Sequence, residues 1–337
     1  MDTPLLLQSV PAEHLANLTS LRASIVYDHE PVSRVLLLNS QWLQELDVTF
    51  TTKEAVRAVV YCGEASISYP RLSKLVLALP NQHFAPSVSL TTAGSVFPAL
   101  RHLHLTCGFP FSDDTLFRES HATLEYLHFT SDRYALGVLD GYLKSTGAHF
   151  SSLRRLSIEH PWLEHRHDTT TTSSAMALMS RVVPSLLNLS LAMSGPELHP
   201  AELIAWIGMF PKQLRVLTIK DQCIGIFDII ALLKELPLLE SLKCRFDESS
   251  MEQEDFASQL GELQAASVPL NTSFKRWIPL KNGWELRGRF DQCAEILAGL
   301  CPNFSYGETG QTSGAPASAQ RASSELEDGE FSIYSLL

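Results

Sequence analysis

Residues 97–107, FPALRHLHLTC, place His102 and His104 two positions apart, and the later stretch LEYLHFT places Tyr126 and His128 at the same two positions after its leading leucine. Two imidazoles at i, i+2 on one strand with a third on the next strand can offer three nitrogens to a zinc ion and leave a fourth position for water. A metal-binding or metal-dependent site at His102, His104 and His128 is therefore one reading of the pattern. The other is a plain contact surface, because a metal site also needs oriented acceptors behind the rings and a shaped pocket. Such a surface is expected to change charge near the ordinary histidine pKa of about 6.5.

Other chemistry-bearing motifs are not found. The chain has no GxSxG elbow, no GxxxxGK[ST] phosphate loop, no HExxH and no glycine-rich dinucleotide turn, so neither catalytic residues nor a cofactor are expected. The six cysteines, at 62, 107, 223, 244, 293 and 301, form no CxxC pair and sit among apolar neighbours. Buried reduced thiols fit that distribution better than a disulfide or zinc framework, which points to a cytoplasmic or nuclear protein. The net charge of -11 and a pI near 5.5 argue against general binding to nucleic acid or anionic membranes, both of which need a positive field. No apolar run reaches the length of about 18 residues that a membrane helix requires, and the first ten residues lack the basic start of a signal peptide.

The elements that carry the histidines repeat along the chain. A unit of the form L-x-x-L-x-L begins at Leu18, Leu43, Leu72, Leu100, Leu124, Leu153, Leu186, Leu214 and Leu239, at spacings of 24 to 33 residues. Weaker units start at Phe274 (FKRWIPL) and Cys301 (CPNFSYG). Within each unit the alternation predicts a strand with leucines inward and the intervening residues outward. Between strands, Leu203, Trp206, Ile207 and Phe210, and again Ile226, Ile229, Ile230 and Leu233, follow the i, i+3, i+4, i+7 spacing of an amphipathic helix. Proline at 70, 98, 184, 211 and 237 ends each preceding helix just before a strand. One unit buries too few side chains to fold alone, so the units must stack.

These units resemble the leucine-rich-repeat superfamily, and their irregular helical spacers are most similar to the repeat arrays of F-box/leucine-rich-repeat proteins. The resemblance covers roughly residues 15–306. It implies an α/β leucine-rich-repeat solenoid of about 10–11 irregular repeats, curved, with parallel strands on the concave face and helices on the convex face. It also implies a non-catalytic protein-interaction scaffold, in the finer form a substrate-recognition subunit. Two features depart from the pattern. The regular asparagine that bonds the turn backbone after the strand is missing, and the opening MDTPLLLQSVPAEHL does not resemble an F-box. Repeat-built GTPase activators share the solenoid, but their more regular repeats with Asn and Leu after the strand are not seen. The solenoid is expected over 1–307 and a disordered acidic tail rich in Ser, Gly and Ala over 308–337.

Outward positions supply the candidate contacts. By repeat phase, His102, His104, Tyr126 and His128 form one patch, with His104 and His128 lateral neighbours about 5 Å apart. The segment HPWLEHRHD, 160–168, presents Trp162 in a long inter-strand loop, a side chain suited to anchoring a partner. Glu45 and Asp47 lie on early strands, whereas Lys220, Lys243, Arg245, Lys275 and Arg276 gather on late ones. That basic stripe suits an acidic segment of a protein partner. It lacks the interleaved aromatics of single-strand nucleic-acid binding. Oligomeric state has no signal in the sequence.

Overall fold

The computed structural model describes residues 15–25, 30–50, 54–78, 96–106, 120–130, 150–160, 185–193, 211–247, 251, 256–265, 269–280 and 287–305. Cys107, Trp162, the helix expected at 203–210 and the tail from 308 lie outside these residues. Met1–Phe304 is one compact unit, and Ser305–Leu337 is a second, of which only Ser305 is described.

Each of the nine L-x-x-L-x-L units, and the weaker unit at Phe274, becomes a strand. These are β1 (Ser20–Ile25), β2 (Glu45–Phe50), β5 (Lys74–Ala78), β6 (His102–Leu105), β7 (Tyr126–Thr130), β8 (Arg155–His160), β9 (Asn188–Met193), β10 (Val216–Ile224), β11 (Ser241–Phe246) and β12 (Arg276–Pro279). Among the described residues they form one ten-stranded sheet in chain order, and every neighbouring pair is parallel. One strand per repeat, laid beside its predecessor, is the α/β leucine-rich-repeat solenoid that the period requires. A separate antiparallel pair, β3 (Tyr61–Cys62) and β4 (Ala65–Ser66), turns at Gly63, whose φ of 62° suits a residue without a Cβ.

The leucines hold a constant level across the sheet. Leu46, Leu75, Leu103, Leu127, Leu156, Leu189, Leu217, Leu242 and Trp277 align strand to strand. All are buried, as expected for Leu103, Leu156, Leu189 and Leu217. They share one core with the apolar sides of α1 (Glu30–Asn39), α3 (Ile226–Glu235) and α5 (Arg287–Leu300). The two remaining helices are α2 (Arg57–Val60) and α4 (Phe256–Ala265). In α3 the predicted side is the buried one, through Ile226, Ile229, Ile230 and Leu233.

Backbone bonds repeat with the same period. The carbonyls of Thr19, Gln44, Ser73, Arg101, Glu125, Arg154, Leu187, Arg215 and Glu240 each accept two N–H groups from the following unit. The leading apolar residue then donates to the carbonyl three residues earlier, as in Leu72 to Tyr69, Leu100 to Phe97, Leu153 to Phe150 and Leu239 to Leu236. Phe304 donates to Cys301 in the same way, and its ring stacks on Phe274 at 5.4 Å. The last unit therefore leads with Phe304, three residues later than the phase expected from Cys301.

Turns that lack a regular asparagine after the strand are tied by other groups. The hydroxyls of Thr123, Ser152 and Ser185 donate to Leu100, Ala122 and Leu153 carbonyls of the preceding units. Two buried asparagines do similar work before a strand rather than after it. Asn271 accepts from the N–H groups of Ser273 and Phe274 and donates to the carbonyls of Leu233 and Leu236. Asn39 accepts from Leu18 N–H and donates to the carbonyls of Leu15 and Val35.

Cys62, Cys223, Cys244, Cys293 and Cys301 form no disulfide, and the last three are buried. Burial pushes the Cys244 thiol up to about 12, against the Trp277 indole N–H that it accepts at 3.4 Å. The Cys301 thiol rises to about 11 for the same reason. Among the described residues no helix is long and apolar enough to cross a membrane.

Candidate functional site

The side of the sheet opposite the leucines is an open face, and its register sets which side chains meet. One row crosses all ten strands as Arg22, Asp47, Val76, His104, His128, Ser157, Ser190, Thr218, Lys243 and Ile278. A second row, one pleat away, runs Glu45, Lys74, His102, Tyr126, Arg155, Asn188, Val216, Ser241 and Arg276. The repeat phase thus brings the predicted patch together. His104 and His128 face each other across β6 and β7 with ring centroids 4.0 Å apart, and His102 meets Tyr126 edge-on at 6.1 Å.

The patch is drier than alternation alone implies. His102 is exposed, His104 and Tyr126 are half-buried, and His128 is only 8% exposed. The expectation of a solvent-facing patch that charges near pH 6.5 is corrected accordingly. Burial lowers the pKa of His128 to about 4, the neighbouring imidazole of His104 adds to the effect, and Glu159 opposes it. His104 is lowered mainly by burial, with Glu159 and Asp47 pulling the other way and Lys74 reinforcing it. His102 is lowered by burial against the attraction of Glu125. At neutral pH the patch is a set of uncharged imidazoles that both donate and accept hydrogen bonds.

Glu159, which no sequence motif marks, lies one pleat beyond Ser157 and completes the cluster. Its carboxylate accepts from the Lys220 ammonium at 2.8 Å. Ala192 sits between them on β9, paired with Glu159 in the register. Its methyl group leaves the lysine room to reach across two strand spacings, about 9–10 Å. Burial works to raise the pKa of Glu159, but the bond and charge of Lys220, helped by both histidines, hold it below the ordinary value.

Among the described residues no three His, Cys, Asp or Glu side chains gather closely enough to hold a metal ion, His102, His104 and His128 included. Ser157 stands beside His128 in the register, but among the described residues no hydrogen bond joins it to either imidazole. Glu159 is held by Lys220, so Ser157, His128 and Glu159 do not form a chain of nucleophile, base and orienting acid.

The basic stripe divides once charges are paired. Lys220 is neutralised by Glu159, and Lys275 lies one residue before β12, where it and Arg215 share Glu240. The early strands are paired likewise, Arg22 with Asp47 and Lys74 with Glu45. Among the described side chains, no carboxylate lies within ion-pair distance of Lys243, Arg245 or, on β8, the exposed Arg155.

No protein family and no curated protein matches this chain. Among solved structures it is similar to the leucine-rich repeat-containing protein LegL7 from Legionella pneumophila, with 14% identity and a TM-score of 0.46, over 88% of this chain and 95% of that one. The fold stands on the strand order and register above, and this similarity carries no part of it.

Trp162 lies outside the described residues, so the patch is that of His102, His104, Tyr126 and His128, with Lys243 and Arg245 farther along the same face. Large exposed apolar groups occur elsewhere as well, at Leu37 and Leu38 on α1 and at Trp42, over which the Arg71 guanidinium sits at 5.2 Å.

Proposed function

We propose that this chain is a non-catalytic scaffold that binds a protein partner on the open face of its sheet. One observation supports the reading most: a continuous row of uncharged side chains, Val76, His104, His128, Ser157, Ser190 and Thr218, spans six strands between Asp47 and Lys243. A partner laid over that row displaces water without stripping charges, which is the costly part of burying a polar surface. Hydroxyls and neutral imidazoles in the row can still satisfy the partner's backbone groups. In its finer form the scaffold is a substrate-recognition subunit, a reading that rests on the resemblance of the repeats to F-box/leucine-rich-repeat arrays.

Quantitative mass spectrometry of proteins captured on the tagged full chain tests the reading. His102→Glu with Tyr126→Glu places two charges on the open face at positions outside the core, and it is expected to reduce specifically captured proteins at least tenfold. Arg34→Glu with Lys234→Glu, on helices α1 and α3, should leave capture within twofold. Equal capture by both double variants would overturn the assignment of the open face.

A further inference from the structure

We propose that Lys243 and Arg245, where the uncharged row ends, form the subsite for a carboxylate carried by an extended segment of the protein partner. This rests on the scaffold reading above and adds to it the chemistry of what is bound. Lys243 is the next member of the row after Thr218, and Arg245 follows it one pleat along β11. The intervening Leu242, Cys244 and Phe246 are buried in the core, which puts the two cations together on the open face. Their Cα atoms are about 7 Å apart, so both can reach one carboxylate or two adjacent ones.

Pairing and burial together set them apart: Arg155 on the same face also holds no acid among the described side chains but is a lone exposed cation, whereas Lys243 and Arg245 are adjacent and half-buried. Arg22, Lys74 and Lys220 on the same face each hold an acid of the chain itself. Lys243 and Arg245 hold none among the described side chains. Arg245 is half-buried, and its Nε–H, shut off from solvent, meets no acceptor among the described residues. A planar guanidinium suits a carboxylate because two parallel N–H···O bonds fit its fork. The surroundings are also built to keep the subsite accessible. Between Ile219 and Cys223 the register of β10 against β11 shifts, and at that irregularity Lys220 reaches away from β11, back to Glu159 on β8.

The row leading to the subsite favours a polypeptide. Six strands from Val76 to Thr218 span about 24 Å, the length of roughly seven extended residues. An extended segment crossing them would place uncharged residues over the histidines and hydroxyls and its acid over Lys243 and Arg245. A nucleic-acid strand fits worse: the chain carries a net charge of -11, and the row offers hydroxyls and imidazoles in place of a series of stacking rings.

A phage library of random nonapeptides, panned on the full chain, supplies the probe. Selected peptides are expected to carry Asp or Glu at one fixed position, and replacing that acid with its amide should weaken binding about fivefold. Lys243→Gln with Arg245→Gln should weaken the acidic peptide by a similar factor, while the amide peptide loses little more, since the two changes remove one interaction. Arg245→Lys keeps the charge and the bulk of the side chain but loses the fork, and should weaken binding by a smaller factor. It serves as the folded comparison if the double variant loses its circular-dichroism signal. Selected peptides with no fixed acid, or with equal affinity for the Gln variants, would overturn the subsite and leave the scaffold reading standing. A chain that enriches no peptide would overturn both. Decauridine bound more tightly than the acidic peptide would also overturn it, in favour of a phosphate backbone.

Discussion

Leu189→Ala is expected to lower the unfolding free energy by about 2–5 kcal/mol. Leu189 is 1% exposed and lies in the leucine ladder between Leu156 on β8 and Leu217 on β10. Truncation removes apolar atoms worth about 0.8 kcal/mol per methylene-sized group. It also leaves a cavity that cannot close easily, because the flanking strands are held by paired backbone bonds accepted by the Arg154 and Leu187 carbonyls. Each repeat contacts chiefly its neighbours, so the damage centres on β8 to β10 and spreads by uncoupling the two halves of the sheet. Denaturant unfolding measures it. Leu37→Ala, at a position 42% exposed, should stay within about 0.5 kcal/mol. A loss below about 1 kcal/mol at Leu189 would remove it from the core.

Acidification is expected to cost the fold about 2 kcal/mol between pH 7 and pH 5 through His128 alone. Its folded pKa is lowered from 6.5 to about 4. As pH falls through about 6.5 the unfolded chain takes up the proton first, while the folded chain holds the imidazole neutral. The unfolded state then binds more protons, so stability is full above about pH 6.5 and declines toward pH 4. His104 and His102 are lowered as well and act in the same direction. Glu159, whose folded pKa is lowered, contributes only at more acid pH, since its stabilisation is lost as pH falls through the carboxylate range. Urea unfolding at half-unit steps should show the decline in the wild type and a much shallower one in His128→Gln. An unchanged pH slope in that variant would place the imidazole in water rather than in the sheet.

Much of the fold was legible because one physical constraint repeats. A strand with one buried face must alternate, so the phase of L-x-x-L-x-L located β1, β2 and β5 through β12 and made His104 the neighbour of His128. Where that constraint weakens, so does the reading. The final unit holds its phase through a turn bond and a ring stack on Phe274, not through leucines, and this shifted it by three residues. The β3–β4 hairpin lies between repeats and has only two residues per strand, too few to alternate. The register shift in β10 lies inside a run, VLTIKDQCI, that reads as a continuous strand.

Charge was the least legible property. Lys220 and Glu159 are 61 residues apart, and their pairing depends on the small side chain of Ala192 between them. Sequence order showed acids early and bases late, but three of the face's cations find acids across the sheet. Position alone likewise put His128 on the open face. Its burial and low pKa come from neighbours on both sides, which only the full register brings together.

Hydroxyl-radical footprinting of the full chain, alone and bound to a partner captured from its own cells, tests the central claim most directly, because it reads the solvent exposure of individual side chains. Tyr126 and His102 on the open face should lose most of their reactivity on binding, while Trp42, exposed on a turn away from that row, keeps its own. Protection of Trp42, Leu37 and Leu38 with Tyr126 and His102 unchanged would contradict the account and move the partner to α1 and the turn that follows it.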